Sequence, residues 1–423
     1  MPLAILQTLK KRDFRTWLKM IVLAALAVRA VVLVIVLLSG PWSEAYMTPP
    51  TTPPRDDYRY VAGAERYAQE AASIWDREAF TRVFDEYGDW VGHLLDQPFS
   101  VAPLWYFIAC FLRYVSGSSI PIRVLNVCLS AAAVGYTGLF VQAVYGEKAG
   151  KIASLSLAFL PFPVLYSCFA YKEQLVMLLT MVLFYHAVLI RQGRFHPARL
   201  ISTVLCALAL LLTRSGVSAA LIGLCLLIAL VKPGFLALIK KDRRVLVLTV
   251  ACGVAAAAVI ALLYPTIRYK LDYYLSGNTE NEGMALRLIT VTGLKDLYKL
   301  PLTWFYAMLS PVSLFHKIEC FYDITAMLNV TLIPVAVAAA MYLFKKKPDP
   351  LVYYGCLLYY LLSAVPSIAI FRHYFSLLPL TLAGGSAFAA GMNEKEKRWF
   401  IILSAALLVL IVGYYFWRNQ LHA

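Results

Sequence analysis

Hydrophobic positions along this chain come in unbroken runs of about twenty residues, without the strict alternation that marks half-buried strands. At about 1.5 Å of rise per residue, each run is long enough to cross a hydrocarbon layer of about 30 Å. Helices can do this because they satisfy their own backbone groups where water is absent. The pattern predicts an all-α, polytopic integral membrane bundle of about eleven spans, at 17–39, 120–144, 152–170, 174–190, 200–214, 216–231, 245–264, 324–343, 351–370, 374–391 and 399–416. The apolar pieces at 101–115 and 300–315 contain proline and border polar sequence, so they are expected to be interfacial or re-entrant helices. Residues 1–423 then form a single transmembrane module with two large loops, 41–119 and 265–323. In the first loop, a stiff Pro/Thr segment precedes two amphipathic stretches suited to a membrane interface.

Charge fixes the orientation. Lys10-Lys11-Arg12, Lys148 with Lys151, Arg191 with Arg194 and Arg199, Lys240 to Arg244, Lys345 to Lys347, and Lys395 with Lys397 and Arg398 all fall in alternate gaps. On that side basic residues outnumber acidic ones 21 to 6, and the other side is near balance. Basic residues concentrate in cytoplasmic loops, so the N-terminus is read as cytoplasmic and the C-terminus as extracytoplasmic, in an inner or plasma membrane. The formal charge of +15 is therefore a topology signal, with no nucleic-acid partner implied. A hydrophobic content of 61% agrees with lipid as the solvent and membrane lipid as a partner. The eight cysteines are scattered with no C-x-x-C pair, which predicts neither a disulfide framework nor a zinc site. The N-terminal run is too long for a cleaved signal and is expected to remain as the first span. Within it, Arg29 reads as a structural contact inside the bundle.

Ionisable residues gather where several spans meet the outer face. Asp56-Asp57-Tyr58-Arg59-Tyr60 follows the Pro/Thr segment, Tyr171-Lys172-Glu173 follows the third span, Arg214 ends the fifth, and Arg372-His373-Tyr374 opens the tenth. Asp56 also suits a helix N-cap. Charged groups at this depth are costly unless they have a partner or a task. Together they fit transfer of a sugar from a lipid phosphate, whose leaving group needs cationic stabilisation and little protonation. One carboxylate then suffices to deprotonate the acceptor hydroxyl. An arginine beside a tyrosine suits the phosphate, because its planar fork engages two oxygens at once.

In this arrangement the chain resembles the GT-C superfamily of membrane glycosyltransferases, which includes protein O-mannosyltransferases, aminoarabinose transferases of lipid A and oligosaccharyltransferase catalytic subunits. The likeness covers nearly the whole chain, mostly as topology. Asp56-Asp57-Tyr58 is similar to the family's first-loop acidic pair and aromatic, which makes Asp56 the catalytic acid position, Asp57 its neighbour and Tyr58 a substrate contact. Glu173 is similar in place to the second family acid, with Lys172 beside it, and Thr213-Arg214-Ser215-Gly216 resembles a Thr-Lys-Gly-Pro stretch. Arg372, with His373 and Tyr374, matches the arginine that meets the donor phosphate before a proline-containing span, and Gln97-Pro98 stands where relatives have Lys-Pro-Pro. The resemblance implies a polyprenyl-phosphate-linked sugar donor, inversion at the anomeric carbon and transfer on the extracytoplasmic face. The short sequence after the last span points to a glycan, lipid or wall-polymer acceptor. Asp56 and Glu173 are the candidate ligands for a divalent cation, Mg or Mn. The alternatives are a polysaccharide polymerase or ligase, kept open by Arg268, Arg287 and Lys295, and a lipid-glycan transporter or flippase.

Overall fold

The computed structural model describes residues 13–39, 56–87, 103–194, 197–230, 294–299, 324, 327–345, 352–353, 355 and 375–421. The expected spans at 245–264 and most of 351–370, and the segment 300–315, lie outside these residues. The described residues form helices and turns, with no strand among them. In chain order the helices are α1 (Phe14–Leu38), α2 (Asp56–Glu70), α3 (Arg77–Tyr87), α4 (Leu104–Ser116), α5 (Ile120–Tyr145), α6 (Glu147–Phe159) and α7 (Pro161–Tyr166). After these come α8 (Glu173–Arg191), α9 (Pro197–Thr213), α10 (Ser215–Leu230), α11 (Ile333–Tyr342), α12 (Leu378–Gly391) and α13 (Glu394–Leu421). Three of them, α1, α5 and α8, are long and apolar enough to cross a membrane.

The helices pack as a bundle around one apolar core drawn from α1, α5, α6, α8, α11 and α12, while α13 leaves Ile401, Ile402, Val409, Leu410 and Trp417 exposed. Close approach between α5 and α6 depends on small residues. A Cβ on Gly150 would come within 2.9 Å of the Gly138 carbonyl oxygen. At one end of the bundle, Lys148 donates to the Ala390 carbonyl at 2.7 Å, and Lys345 donates to the Gly391 carbonyl at 3.1 Å and to Glu396 at 2.8 Å. These cations cover the last carbonyls of α12, where the helix dipole favours positive charge. They also bring Lys148, Lys345 and Glu396, from three of the charged gaps read from the sequence, to this end of α12.

The segment expected as one span at 152–170 is broken. Pro161 carries no N–H, so the Leu157 carbonyl loses its helical donor and the chain turns extended at Leu160 before α7 begins. Arg29 supplies what is missing. Its Nη2 donates to the Leu157 carbonyl at 2.8 Å and its Nη1 to the Ala158 carbonyl at 2.9 Å. Nη1 also reaches the Ala25 carbonyl at 3.2 Å, and Nε donates to Ser130 Oγ at 3.0 Å. The fully buried guanidinium thus sits on the negative end of a broken helix, and the structural reading of Arg29 holds.

The first loop builds a second, smaller core. Tyr60, Val61, Ala64 and Tyr67 of α2 pack with Ala79, Val83 and Phe84 of α3 and with Trp105, Tyr106, Ala109 and Cys110 of α4. The expected amphipathic stretches are α2 and α3. Between them Asp76 accepts from the Ala79 and Ala72 N–H groups, both at 3.0 Å, and those donors hold its carboxyl below the usual carboxylate range. Gly63 lets α2 meet α4 closely, for a Cβ there would fall 1.6 Å from Tyr106 Oη. Burial of that phenol pushes its pKa upward. Ile122 and Ala170 also belong to this core, so the cap is joined to the bundle at α5 and at the turn after α7.

Candidate functional site

Residues Ser167 to Lys172 link α7 to α8 without forming a helix, and from Ser167 to Tyr171 they are fully buried or nearly so. Buried irregular backbone is tolerated only where its polar groups find partners. Here each carbonyl from Cys168 to Lys172 has a donor. Arg123 Nη1 donates to Cys168 at 3.1 Å, and Asn126 Nδ2 donates to Phe169 at 2.6 Å and to Tyr171 at 2.8 Å. Trp105 Nε1 donates to Ala170 at 2.9 Å, and the Val176 N–H donates to Lys172 at 3.1 Å as α8 starts. Three separate elements therefore dictate the shape of this turn.

Asp57 is the hinge pin of the arrangement. Its Oδ1 accepts from the Ala170 N–H at 2.6 Å and from Arg123 Nη1 at 3.2 Å, and its Oδ2 accepts from Arg123 Nη2 at 3.3 Å. Asp57 and Arg123 are both fully buried. Removing two charges from water is costly, and this pair recovers the cost through a two-pronged contact plus backbone donors and acceptors on either side. Arg123 and Asn126 lie three apart in the first turns of α5, on one face of the helix.

The turn delivers Glu173 to the start of α8, buried at 5% exposure, after a half-buried Lys172. An aromatic wall extends the site toward the end of the chain. Tyr166 stacks with Tyr171 at 5.1 Å and Phe162 at 5.2 Å, and it meets Phe375 at 4.5 Å. Phe375 opens a 3-10 turn, Phe375–Leu377, that leads into α12. Arg214 occupies a one-residue corner between α9 and α10, and its Nη1 donates to Ser376 Oγ at 3.4 Å.

Among the residues singled out from sequence, Asp57, Lys172, Glu173 and Arg214 are thus brought to one end of the bundle, opposite the lysine-capped end of α12. Tyr58 is half-buried on the first turn of α2. Asp56 supplies the first residue of α2, while its side chain lies outside the described residues. Gln97, Arg372, His373 and Tyr374 also lie outside them. Sequence reasoning missed Arg123, Asn126, Trp105 and Ser376. The signal for the first two was present: an Arg and an Asn at helical spacing inside an apolar run. Among the described residues no group of three His, Cys, Asp or Glu side chains is placed to hold a metal ion, and both Asp57 oxygens are already engaged. Comparison of the chain with family models, with curated proteins and with solved structures finds no match.

Proposed function

We propose that this chain is a membrane glycosyltransferase with a GT-C-like bundle of about eleven spans, its N-terminus cytoplasmic and its C-terminus extracytoplasmic. It moves a sugar from a polyprenyl-phosphate donor to a hydroxyl of a glycan, lipid or wall-polymer acceptor on the extracytoplasmic face. One observation carries the reading: the first-loop acidic pair, through Asp57, is fastened to the very turn from which Glu173 emerges. The helix preceded by Arg372 begins beside that turn, through Phe375 on Tyr166, which stacks on Tyr171, and through Ser376 on Arg214. Asp57, Glu173 and Arg214, and the turn Phe375–Leu377 more than 300 residues after Asp57, thereby lie at one end of the bundle, which supports a single displacement site there.

In this reading the Asp56 carboxylate removes the acceptor's proton as its oxygen attacks the anomeric carbon. The bond from that carbon to the phosphate oxygen breaks with inversion, and the polyprenyl phosphate leaves with the bonding pair. Arg372, with His373 and Tyr374 beside it, receives the phosphate charge, and Arg214 adds positive potential at the same end. Asp57 acts as a positioning residue, since its oxygens are occupied. Glu173 orients the acceptor or the donor sugar from the head of α8.

Purified protein in nanodiscs, given a labelled polyprenyl-phosphate sugar and a panel of hydroxyl acceptors, tests the proposal. Asp56→Asn is expected to lose transfer by about 100-fold or more while unfolding at the wild-type temperature. Arg372→Ala is expected to weaken donor use in parallel. Transfer unchanged in a folded Asp56→Asn protein overturns the proposal.

A further inference from the structure

Not all the polar atoms around the turn are spent on holding it. Asn126 commits its Nδ2 to Phe169 and Tyr171, but its Oδ1 is buried with no partner among the described residues. Gln174, the residue after Glu173 in the first turn of α8, is fully buried, and neither its Oε1 nor its Nε2 has a partner among them. Two acceptor oxygens and one NH2 donor are therefore left unused around the turn, on Asn126, which donates to the Tyr171 carbonyl, and on Gln174, three residues after Tyr171. A buried amide in this state is costly, whereas leucine or methionine would fill the same volume without that penalty.

The composition of the set restricts what it can bind. A phosphate presents mainly acceptors, which two amide oxygens do not satisfy. A sugar hydroxyl both donates and accepts, which suits an amide that offers an oxygen and an NH2 side by side. Sites that hydrogen-bond a substrate hydroxyl also discriminate strongly, because a ligand lacking that hydroxyl leaves the site's own polar atoms unpaired. We propose that Gln174, with the Asn126 carbonyl, reads hydroxyl groups of the donor sugar and so sets which sugar is accepted. This rests on the glycosyl-transfer reading. Asn126 also holds the turn, so Gln174 is the residue to test.

Thermal unfolding in nanodiscs tests it, using empty discs, discs with bare polyprenyl phosphate, and discs with each of a panel of polyprenyl-phosphate hexoses and pentoses. Wild-type protein is expected to be stabilised more by one sugar-bearing lipid than by the bare phosphate. Gln174→Leu, or Gln174→Met if the branched side chain disturbs packing, is expected to raise the resting Tm by about 2 °C. It should keep the response to bare polyprenyl phosphate and bind the sugar-bearing lipid about tenfold more weakly. A lower resting Tm in both variants shows that buried water satisfies the amide, and overturns the inference. An undiminished preference for the sugar-bearing lipid in either variant overturns it too. If wild-type protein responds to bare and sugar-bearing lipids alike, sugar reading by Gln174 fails while donor binding stands. If it responds to no polyprenyl phosphate at all, the glycosyl-transfer reading itself fails.

Discussion

Arg29 and Arg123 are both fully buried, and between them they grip the two ends of one broken segment. Arg29 holds the carbonyls of Leu157 and Ala158 before Pro161, and Arg123 holds that of Cys168 after α7. Their surroundings differ in kind. Arg29 is met by carbonyl dipoles and one hydroxyl, so its charge is balanced by the end of a helix. Arg123 is met by a carboxylate from a different part of the chain, and that carboxylate also fixes the backbone leading to Glu173. A guanidinium can thus serve as a helix cap or as a joint between cap and bundle. The presence of Asp57 separates a role confined to packing from one that shapes the site.

Substitutions can break this comparison. Arg123→Met strands the Asp57 charge in a buried place and is expected to cost about 3–5 kcal/mol, measured by chemical or thermal unfolding in nanodiscs. Adding Asp57→Leu should recover much of that loss, because removing both charges is far milder than removing one. Sugar transfer should stay low in the double variant, since the Ala170 N–H has lost its acceptor and the turn its anchor. Recovery of transfer along with stability would show that the pair is only structural. Arg29→Met, which leaves carbonyl dipoles without donors but no stranded charge, is expected to cost less, about 2–3 kcal/mol, and to leave the donor KM unchanged.

Smaller effects sharpen the picture of the cap. Gly63→Ala forces a Cβ into Tyr106 and should cost about 1–2 kcal/mol while slowing transfer, because α2 carries Asp56 and Asp57. Asp76→Ala should have the smallest effect, and a pH-dependent one. The carboxyl is depressed by the Ala79 and Ala72 N–H groups, so its stabilising contribution is present above the ordinary unfolded carboxylate pKa and disappears as pH falls through the folded value. Wild type and variant should therefore unfold at different temperatures at neutral pH and converge in acid.

The long apolar runs, the amphipathic stretches of the first loop and the gathering of basic gaps were legible in the sequence, because each follows from local periodicity or from loop charge. Lys148 and Lys345 meeting α12 is the outcome of that charge pattern. The break in the third run was written in Pro161 and Pro163, but hydropathy over a window of span length averages over two prolines. The Asp57–Arg123 joint was not legible as a pair. Its members are 66 residues apart, and only packing of α2, α4 and α5 decides that they meet. Asp57 likewise read as a partner of the catalytic acid, because a sequence does not reveal that its carboxylate is buried against Arg123 and the Ala170 N–H.

The proposed site requires the first-loop acids and the arginine before α12 to face one another. Spin labels at Asp56→Cys and Arg372→Cys, in a cysteine-depleted protein reconstituted in nanodiscs, measure it directly by dipolar distance. The account predicts a separation well short of a spanning helix, whose length is about 30 Å. A distance of that length or more would contradict it.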